Sequence, residues 1–330
     1  MQNTKFMLLR RLPFYDFVKA LAQLVRLPNV LIILLTQFLL RYCIILPFLY
    51  KDAPELISPL PDFLILVLVT ALIAIGGYVI NDYFDVKIDR INRPGKLVVN
   101  KLISGRTAIK IHMILNGIVI LLGFYLAWRV KAISFGLVFP FISGLLWIYS
   151  AKYKRMLFWG NFIVAGLSSF VILVVWLFEF FWLRLNAIQF IDVLPAIRWV
   201  NYVFIAYAMF AFLVSMVREI IKDMEDTEGD KIVDCKTLPL VVGMKSSRFI
   251  VGAILLATII LLGYAQMILF HLSLQMAFWY FMFTVQAGAV YLFVKLFLAR
   301  KKEDYHFLSS LCKLIMVAGI LSMEVILISN

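Results

Sequence analysis

The chain contains 330 residues, of which 64% are hydrophobic and only 15% are charged, and its formal net charge is +13. This composition excludes an ordinary soluble domain, in which about a quarter of the residues carry charge. The positive charge does not indicate a nucleic-acid partner, because the basic residues concentrate in alternate loops between apolar segments, as they do in membrane proteins.

Apolar segments of about 20 residues predict transmembrane helices, because that length crosses the hydrocarbon core of a bilayer. The sequence contains nine such segments, which we place at residues 29–49, 63–80, 108–128, 133–150, 159–178, 199–217, 249–269, 276–297 and 308–328. We therefore predict an all-α integral membrane protein with a single polytopic domain over residues 1–330.

Lys and Arg are frequent before the first span and after the second, fourth, sixth and eighth spans, and they are sparse in the other loops. The positive-inside rule therefore predicts that the N-terminus and these loops are cytoplasmic. The segment before the first span lacks a long apolar core, so we expect no cleaved signal peptide. The expected location is a prokaryotic plasma membrane.

The second span is followed by Asp82, Asp85 and Asp89, in a motif loop over residues 81–106. Spacings of three and four residues place the three carboxylates on one face of a helix. Like charges in this arrangement repel one another unless a cation, a cationic side chain or a phosphate-bound metal neutralises them. This loop is the first candidate functional site.

The same spacing recurs in Asp223, Asp226 and Asp230, in a second motif loop over residues 218–247 that follows the sixth span. We expect these carboxylates, too, on one face of a helix. An offset of four spans returns the chain to the same side of the membrane, so both clusters are expected at the cytoplasmic face. The repetition predicts two pseudo-repeated four-helix units plus one helix.

Acidic side chains at a membrane boundary are costly to bury and tend to be functional. Clustered carboxylates suit Mg²⁺, which usually binds through one or two carboxylates together with phosphate oxygens of a substrate. Two such clusters that face each other would clamp a diphosphate through shared Mg²⁺ ions. We therefore predict Mg²⁺ as the cofactor and the six aspartates as its ligands.

Basic residues close to both clusters supply the positive charge that a diphosphate leaving group needs. Arg93 and Lys96 follow the first cluster, Arg218 and Lys222 belong to the second loop, and Lys154 lies in the loop after the fourth span. Mg²⁺ and cationic side chains neutralise the charge that develops on a departing diphosphate. An allylic carbon could then separate as a carbocation.

These residues resemble the signatures of the UbiA superfamily of intramembrane prenyltransferases. Residues 81–89 match the pattern NDxxDxxxD, and residues 222–230 match KDxxDxxGD. The resemblance implies a ring of nine helices around a central cavity, which the two motif loops cap. It also implies Mg²⁺-dependent transfer of a polyprenyl group from an allylic prenyl diphosphate to a lipophilic acceptor.

The site residues that follow from the motifs, the nearby cations and the resemblance fall into two groups. The expected catalytic and metal-binding residues are Asp82, Asp85, Asp89, Asp223, Asp226 and Asp230. The expected substrate-binding residues are Asn29, Asn81, Arg93, Lys96, Tyr149, Lys154, Arg218 and Lys222. The expected partners are a polyprenyl diphosphate donor, a lipophilic acceptor and membrane lipids, with no nucleic acid.

The stretch from Arg218 to Asp223 looks most like the digeranylgeranylglyceryl phosphate synthase branch, which implies geranylgeranylglyceryl phosphate as the acceptor. Lys96 and Leu97 depart from that branch, because they stand where a second Arg-Pro pair is expected. An aromatic acceptor of quinone biosynthesis, 4-hydroxybenzoate or a naphthoate, is therefore an alternative. A cation transporter is an alternative from another class, but its acidic residues would be expected near the bilayer midplane.

Overall fold

The computed structural model describes residues 22–51, 56–92, 98–99 and 103–329. Within these ranges, nine helices are long and apolar enough to cross a membrane. We label them α1 (Leu27–Leu49), α2 (Leu60–Asn92), α3 (Gly105–Arg129), α4 (Ile133–Ala151), α5 (Trp159–Leu183), α6 (Leu194–Glu225), α7 (Leu238–His271), α8 (Gln275–Leu298) and α9 (Lys302–Ser329). The predicted all-α class and the nine predicted spans are confirmed, whereas the ring around a cavity and the pseudo-repeat stay predictions.

Helices α2, α6 and α7 extend well beyond the apolar segments that predicted them, and the extensions of α2 and α6 reach the motifs. Helix α2 has 33 residues and helix α6 has 32. At 1.5 Å per residue each is about 50 Å long, whereas the hydrocarbon core of a bilayer is about 30 Å thick. Much of the additional length lies at the C-terminal ends, in residues 81–92 and 218–225, which carry motif residues.

The chain forms two compact units. The first contains the described residues of 1–34, 59–154 and 228–234. Within it, α2 packs against α3 and α4, and α3 packs against α4. Gly123 on α3 allows one of these close approaches, because a Cβ atom there would overlap the ring of Phe139 on α4.

The second unit contains the described residues of 35–58, 155–227 and 235–330. Within it, α6 packs against α5, α7 and α9, and α8 packs between α7 and α9. The core of this unit is apolar and includes Val217, Ile220 and Ile221 on α6, with Leu292 on α8. Helix α7 is interrupted near its start by Gly243, whose φ of 82° lies in the left-handed region that favours glycine.

A buried polar cluster also lies in the second unit. Arg41 is 4% exposed and donates a hydrogen bond to the Ser58 hydroxyl at 2.8 Å. Glu179 is 2% exposed and accepts hydrogen bonds from the Tyr50 hydroxyl at 2.7 Å and from the Ser58 N–H at 3.1 Å. The charged groups are therefore hydrogen-bonded, which offsets part of the cost of their burial.

The two acidic clusters differ in backbone structure. Asp82, Asp85 and Asp89 all lie on α2, as predicted. The same expectation is wrong for the second cluster, because α6 ends at Glu225, Asp226 is its C-cap and a short helix, Thr227–Ile232, carries Asp230. The physical reason is local composition: the sequence at this point contains Asp, Thr and Gly, which are weak helix formers.

Candidate active site

The first acidic cluster occupies the last turns of α2, in the first unit. Asp85 is 3% exposed, whereas Asp82 and Asp89 are partly buried. Asn81 lies one turn before Asp85, and its side-chain amide donates a hydrogen bond to Asp85 Oδ2 at 2.7 Å. The amide orients this carboxylate without cancelling its charge.

Lys154 joins this cluster from the short helical turn after α4. It forms an ion pair with the Asp85 carboxylate and lies 3.4 Å from Asn81 Oδ1. Burial lowers the pKa of Lys154, but the Asp85 carboxylate and nearby Tyr149 raise it, and the net shift is upward. The structure therefore brings the predicted residues Asn81 and Lys154 to the Asp85 carboxylate, with the predicted Tyr149 close to Lys154, and keeps the lysine positively charged.

Arg26 is a site residue that the sequence-based prediction missed. Its guanidinium Nη2 lies 2.9 Å from Asp82 Oδ1, and its Cζ atom lies 4.8 Å from the centre of the Tyr78 ring. Burial lowers the pKa of Arg26, but Asp82, Tyr78 and Asp85 raise it, with a net upward shift. Arg26 lies three residues before Asn29, which is a predicted substrate-binding residue and is half-buried.

The segment that carries Asp230 is bound to the end of α2, within the same unit. The N–H group of Gly229 donates a hydrogen bond to Asn92 Oδ1 at 3.0 Å. A Cβ atom on Gly229 would overlap the Asn92 amide, so a glycine is required for this contact. The next residue, Asp230, is 8% exposed. The first unit therefore holds Asp230 as well as the three aspartates of α2.

The other two aspartates of the second cluster, Asp223 and Asp226, belong to the second unit. Asp223 Oδ2 accepts a hydrogen bond at 2.8 Å from the side-chain amide of Asn161, near the start of α5. Asn161 is 6% exposed and was not among the predicted site residues. The sequence does not indicate that Asn161 contacts Asp223, because the two residues are 62 positions apart.

The predicted cations of the second loop, Arg218 and Lys222, share one acidic partner. Arg218 Nη1 lies 2.6 Å from Glu219 Oε1, and Lys222 Nζ lies 3.0 Å from Glu219 Oε2. This pairing leaves one net positive charge on the three side chains. The remaining predicted cations, Arg93 and Lys96, lie outside the described residues.

The carboxylates of the two motifs fit a divalent cation that also binds a phosphate-containing ligand. In the described part of the chain, no three His, Cys, Asp or Glu side chains are grouped closely enough to hold a metal by themselves. Mg²⁺ is usually held by one or two carboxylates plus waters and phosphate oxygens, so this arrangement suits it. The three aspartates of α2 carry three negative charges, and Arg26 and Lys154, which pair with Asp82 and Asp85, offset two of them, so that one negative charge remains. A divalent cation would reverse that sign and favour an anionic ligand.

Comparison with known proteins gives the following similarities. Residues 44–310 match the model of the UbiA prenyltransferase family. The chain is 33% identical over 204 residues to digeranylgeranylglyceryl phosphate synthase of Thermococcus sibiricus, a stretch that covers 62% of this chain and 64% of that relative. The matched stretch therefore spans slightly less than two thirds of the relative's length.

Three solved structures share the fold, and two of them are the following. One is described as digeranylgeranylglyceryl phosphate synthase in membranes, with a TM-score of 0.62, 22% identity, and coverage of 96% of this chain and 100% of that chain. The other is a UbiA homologue of Archaeoglobus fulgidus bound to DMAPP and Mg²⁺, with a TM-score of 0.53, 15% identity, and coverage of 92% and 98%.

Proposed function

Because the chain belongs to the UbiA prenyltransferase family and is a multi-pass membrane protein, we propose that it transfers a polyprenyl group from an allylic prenyl diphosphate to a lipophilic acceptor. The observation that carries this proposal is the cluster at the end of α2, where Asp82 and Asp85 each pair with a cation, Arg26 and Lys154. Carboxylates and cations in one cluster suit a ligand that combines a divalent metal with a diphosphate.

In this proposal Asp82, Asp85 and Asp89 would hold Mg²⁺ at the first motif, and Asp223, Asp226 and Asp230 would do so at the second. Bound Mg²⁺ supplies charge neutralisation at the departing diphosphate. That both clusters act on one diphosphate stays a prediction from the sequence, as does the role of each of the six aspartates.

Arg26 and Lys154 bind the diphosphate oxygens in this proposal. Each pairs with an aspartate, which places its N–H donors beside the carboxylates that would hold Mg²⁺. Arginine suits this role because its planar guanidinium presents several N–H donors to phosphate. Negative charge that develops on the leaving oxygen is then met by groups that are already in position.

The bond between C1 of the prenyl chain and the diphosphate oxygen breaks, and an allylic cation forms. The hydroxyl oxygen of the acceptor attacks C1, an ether bond forms, and the hydroxyl proton leaves to the released diphosphate or to solvent. Apolar surroundings exclude water, which protects the cation from hydrolysis.

The acceptor that we propose is geranylgeranylglyceryl phosphate. Support comes from the names of similar proteins, including the synthase of Thermococcus sibiricus, and from the stretch between Arg218 and Asp223. An aromatic acceptor remains the second candidate, because Lys96 and Leu97 depart from the pattern of that branch.

The test is prenyl transfer by the purified protein. Radiolabelled geranylgeranyl diphosphate and Mg²⁺ would be incubated with geranylgeranylglyceryl phosphate or with 4-hydroxybenzoate, beside the Asp82→Ala variant. Asp62→Asn is a matched control, because Asp62 lies at the other end of α2 and pairs with Arg129 at 2.7 Å. We expect product with the glyceryl phosphate only, lost with a chelator and in Asp82→Ala but retained in Asp62→Asn.

Product with the aromatic acid would assign the quinone branch instead. Absence of product with both acceptors, and with shorter and longer prenyl donors, would contradict the prenyltransferase proposal and favour a cation transporter.

We further propose that the N-terminus and both motif loops face the cytoplasm of a prokaryotic cell, with membrane lipids as neighbours and no nucleic-acid partner. The three native cysteines are buried, so they give little background in a labelling experiment. Lys152 and Lys131 are exposed at opposite ends of α4. A membrane-impermeant maleimide should label Lys152→Cys in inside-out vesicles and Lys131→Cys in right-side-out vesicles, and the reverse pattern would overturn the orientation.

A further inference from the structure

We propose that Asn161 is a positioning residue of the second acidic cluster, and that its amide orients the Asp223 carboxylate for binding of a metal–diphosphate ligand. This inference rests on the proposed function and extends it to a residue outside both motifs. Asn161 is the third residue of α5, whereas Asp223 lies in the last turn of α6.

The geometry is that of a direct hydrogen bond between a buried amide and a half-buried carboxylate. Asn161 Nδ2 lies 2.8 Å from Asp223 Oδ2, and Asn161 is 6% exposed. Both residues belong to the second unit, in which α5 packs against α6. Because the amide is fixed by this packing, it restricts rotation of the carboxylate to which it donates.

The first cluster contains the same contact. Asn81 Nδ2 donates to Asp85 Oδ2 at 2.7 Å, so one carboxylate in each cluster accepts from an asparagine amide, although Asp85 also pairs with Lys154. In the first motif the asparagine lies four residues before its aspartate. Residues 219–230 of the second motif contain no asparagine, and α5 supplies the amide from a distant part of the chain.

The amide suits this role because it has no charge, so that a carboxylate that accepts from it is oriented without being neutralised by it. Residues that orient metal ligands in this way typically contribute about 10–100-fold to metal affinity or activity.

The same pair of helices contains a matched control. Asn201 Oδ1, on α6, accepts a hydrogen bond from the indole Nε1 of Trp176, on α5, at 2.6 Å. Trp176 lies 15 residues after Asn161, or about 22 Å along the helix. Loss of the Asn201 side chain should therefore weaken contact between α5 and α6 without affecting Asp223.

The experiment compares Asn161→Leu and Asn201→Leu with the unmodified full-length protein. The main measurement is the Mg²⁺ concentration that gives half-maximal thermal stabilisation in the presence of inorganic pyrophosphate, and the second is the Mg²⁺ dependence of prenyl transfer. We expect Asn161→Leu to raise this Mg²⁺ concentration about tenfold or more. Asn201→Leu should lower the melting temperature but leave the Mg²⁺ concentration within about twofold.

An unchanged Mg²⁺ requirement in Asn161→Leu, with a lowered melting temperature as in Asn201→Leu, would overturn the inference and leave the proposed function intact. Absence of Mg²⁺-dependent pyrophosphate binding and of transfer in the unmodified protein would overturn the proposed function itself. If Asn161→Leu does not fold, the smaller substitution Asn161→Ala gives the same comparison with the same two results.

Discussion

Asn92, the last residue of α2, accepts a hydrogen bond from the backbone of Gly229, although the two residues are 137 positions apart in the sequence. The contact joins the end of the first motif helix to the segment that carries Asp230. Gly229 lies in the first turn of the short helix that begins at Thr227, where backbone N–H groups have no acceptor within the helix. Asn92 supplies the acceptor for this N–H group.

Gly229→Ala should displace the Asn92 amide, because the new Cβ atom would overlap it. The lost hydrogen bond, which typically contributes about 0.5–1.5 kcal/mol, and the shift of Asp230 should together lower kcat/KM about tenfold. Asn92→Ala should have a similar effect, and the double variant should be no worse than either single variant.

The measurement is a double-mutant cycle on kcat/KM. Gly144→Ala is the matched control, because Gly144 lies on α4 with open space around its Cβ position. Strictly additive losses in the cycle would contradict a shared contact between Asn92 and Gly229.

Asp85→Asn should abolish most of the transfer activity and also lower stability. The substitution leaves Lys154 without its carboxylate partner. Because about one third of the lysine side chain is exposed (32%), water partly solvates its charge, and we expect the free energy of unfolding to fall by only about 1–2 kcal/mol. The double variant Asp85→Asn, Lys154→Met should regain melting temperature without regaining activity, as thermal unfolding and transfer assays would show. Recovered activity in the double variant would argue that the ion pair is only structural.

Arg26→Lys and Arg26→Ala separate charge from geometry at Asp82. Lysine keeps the charge but lacks the planar guanidinium that stacks on Tyr78 and presents several donors. We expect kcat/KM to fall about tenfold in Arg26→Ala and by an intermediate factor in Arg26→Lys, with the loss mainly in KM for the prenyl diphosphate. Steady-state kinetics with varied donor concentration measures this, and equal activity in all three proteins would exclude a role for Arg26 in diphosphate binding.

The pH dependence of pyrophosphate binding should show that Lys154 stays charged. The pKa of Lys154 is raised in the folded protein. The positive charge that Lys154 contributes to pyrophosphate binding is therefore complete below the ordinary lysine pKa of about 10.4 and is lost only above that value. Lys154→Arg keeps the positive charge at every pH. The ratio of pyrophosphate affinities between the unmodified protein and Lys154→Arg should therefore be constant from about pH 7 to about pH 10. A ratio that changes between these limits would contradict a raised pKa.

Much of this arrangement was predictable from local patterns in the sequence. The apolar segments located the nine spans, and the spacing of Asp82, Asp85 and Asp89 correctly placed them on one helix. The same spacing failed for the second cluster, because residues that favour helix ends outweighed the helical period at Asp226.

The contacts that complete the site depend on tertiary packing. Arg26 is 56 residues from Asp82, and Asn161 is 62 residues from Asp223. No local pattern links residues at such separations, because their proximity results from the way whole helices pack. Of the side chains that contact these carboxylates, the sequence pointed to Asn81 and Lys154 but not to Arg26 and Asn161.

The buried cluster that joins Tyr50 and Ser58 to Glu179 has a consequence for biogenesis. Tyr50 precedes Glu179 by 129 residues, and the helices α2, α3 and α4 are made in between. At about 5–20 residues per second, the ribosome needs roughly 6–26 s to span that interval. During that time Tyr50 and the Ser58 N–H lack the Glu179 carboxylate, and the second unit stays incomplete while the three helices of the first unit enter the membrane. The order of synthesis thus favours early assembly of the α2–α4 bundle and delays closure around Glu179 until α5 has been inserted.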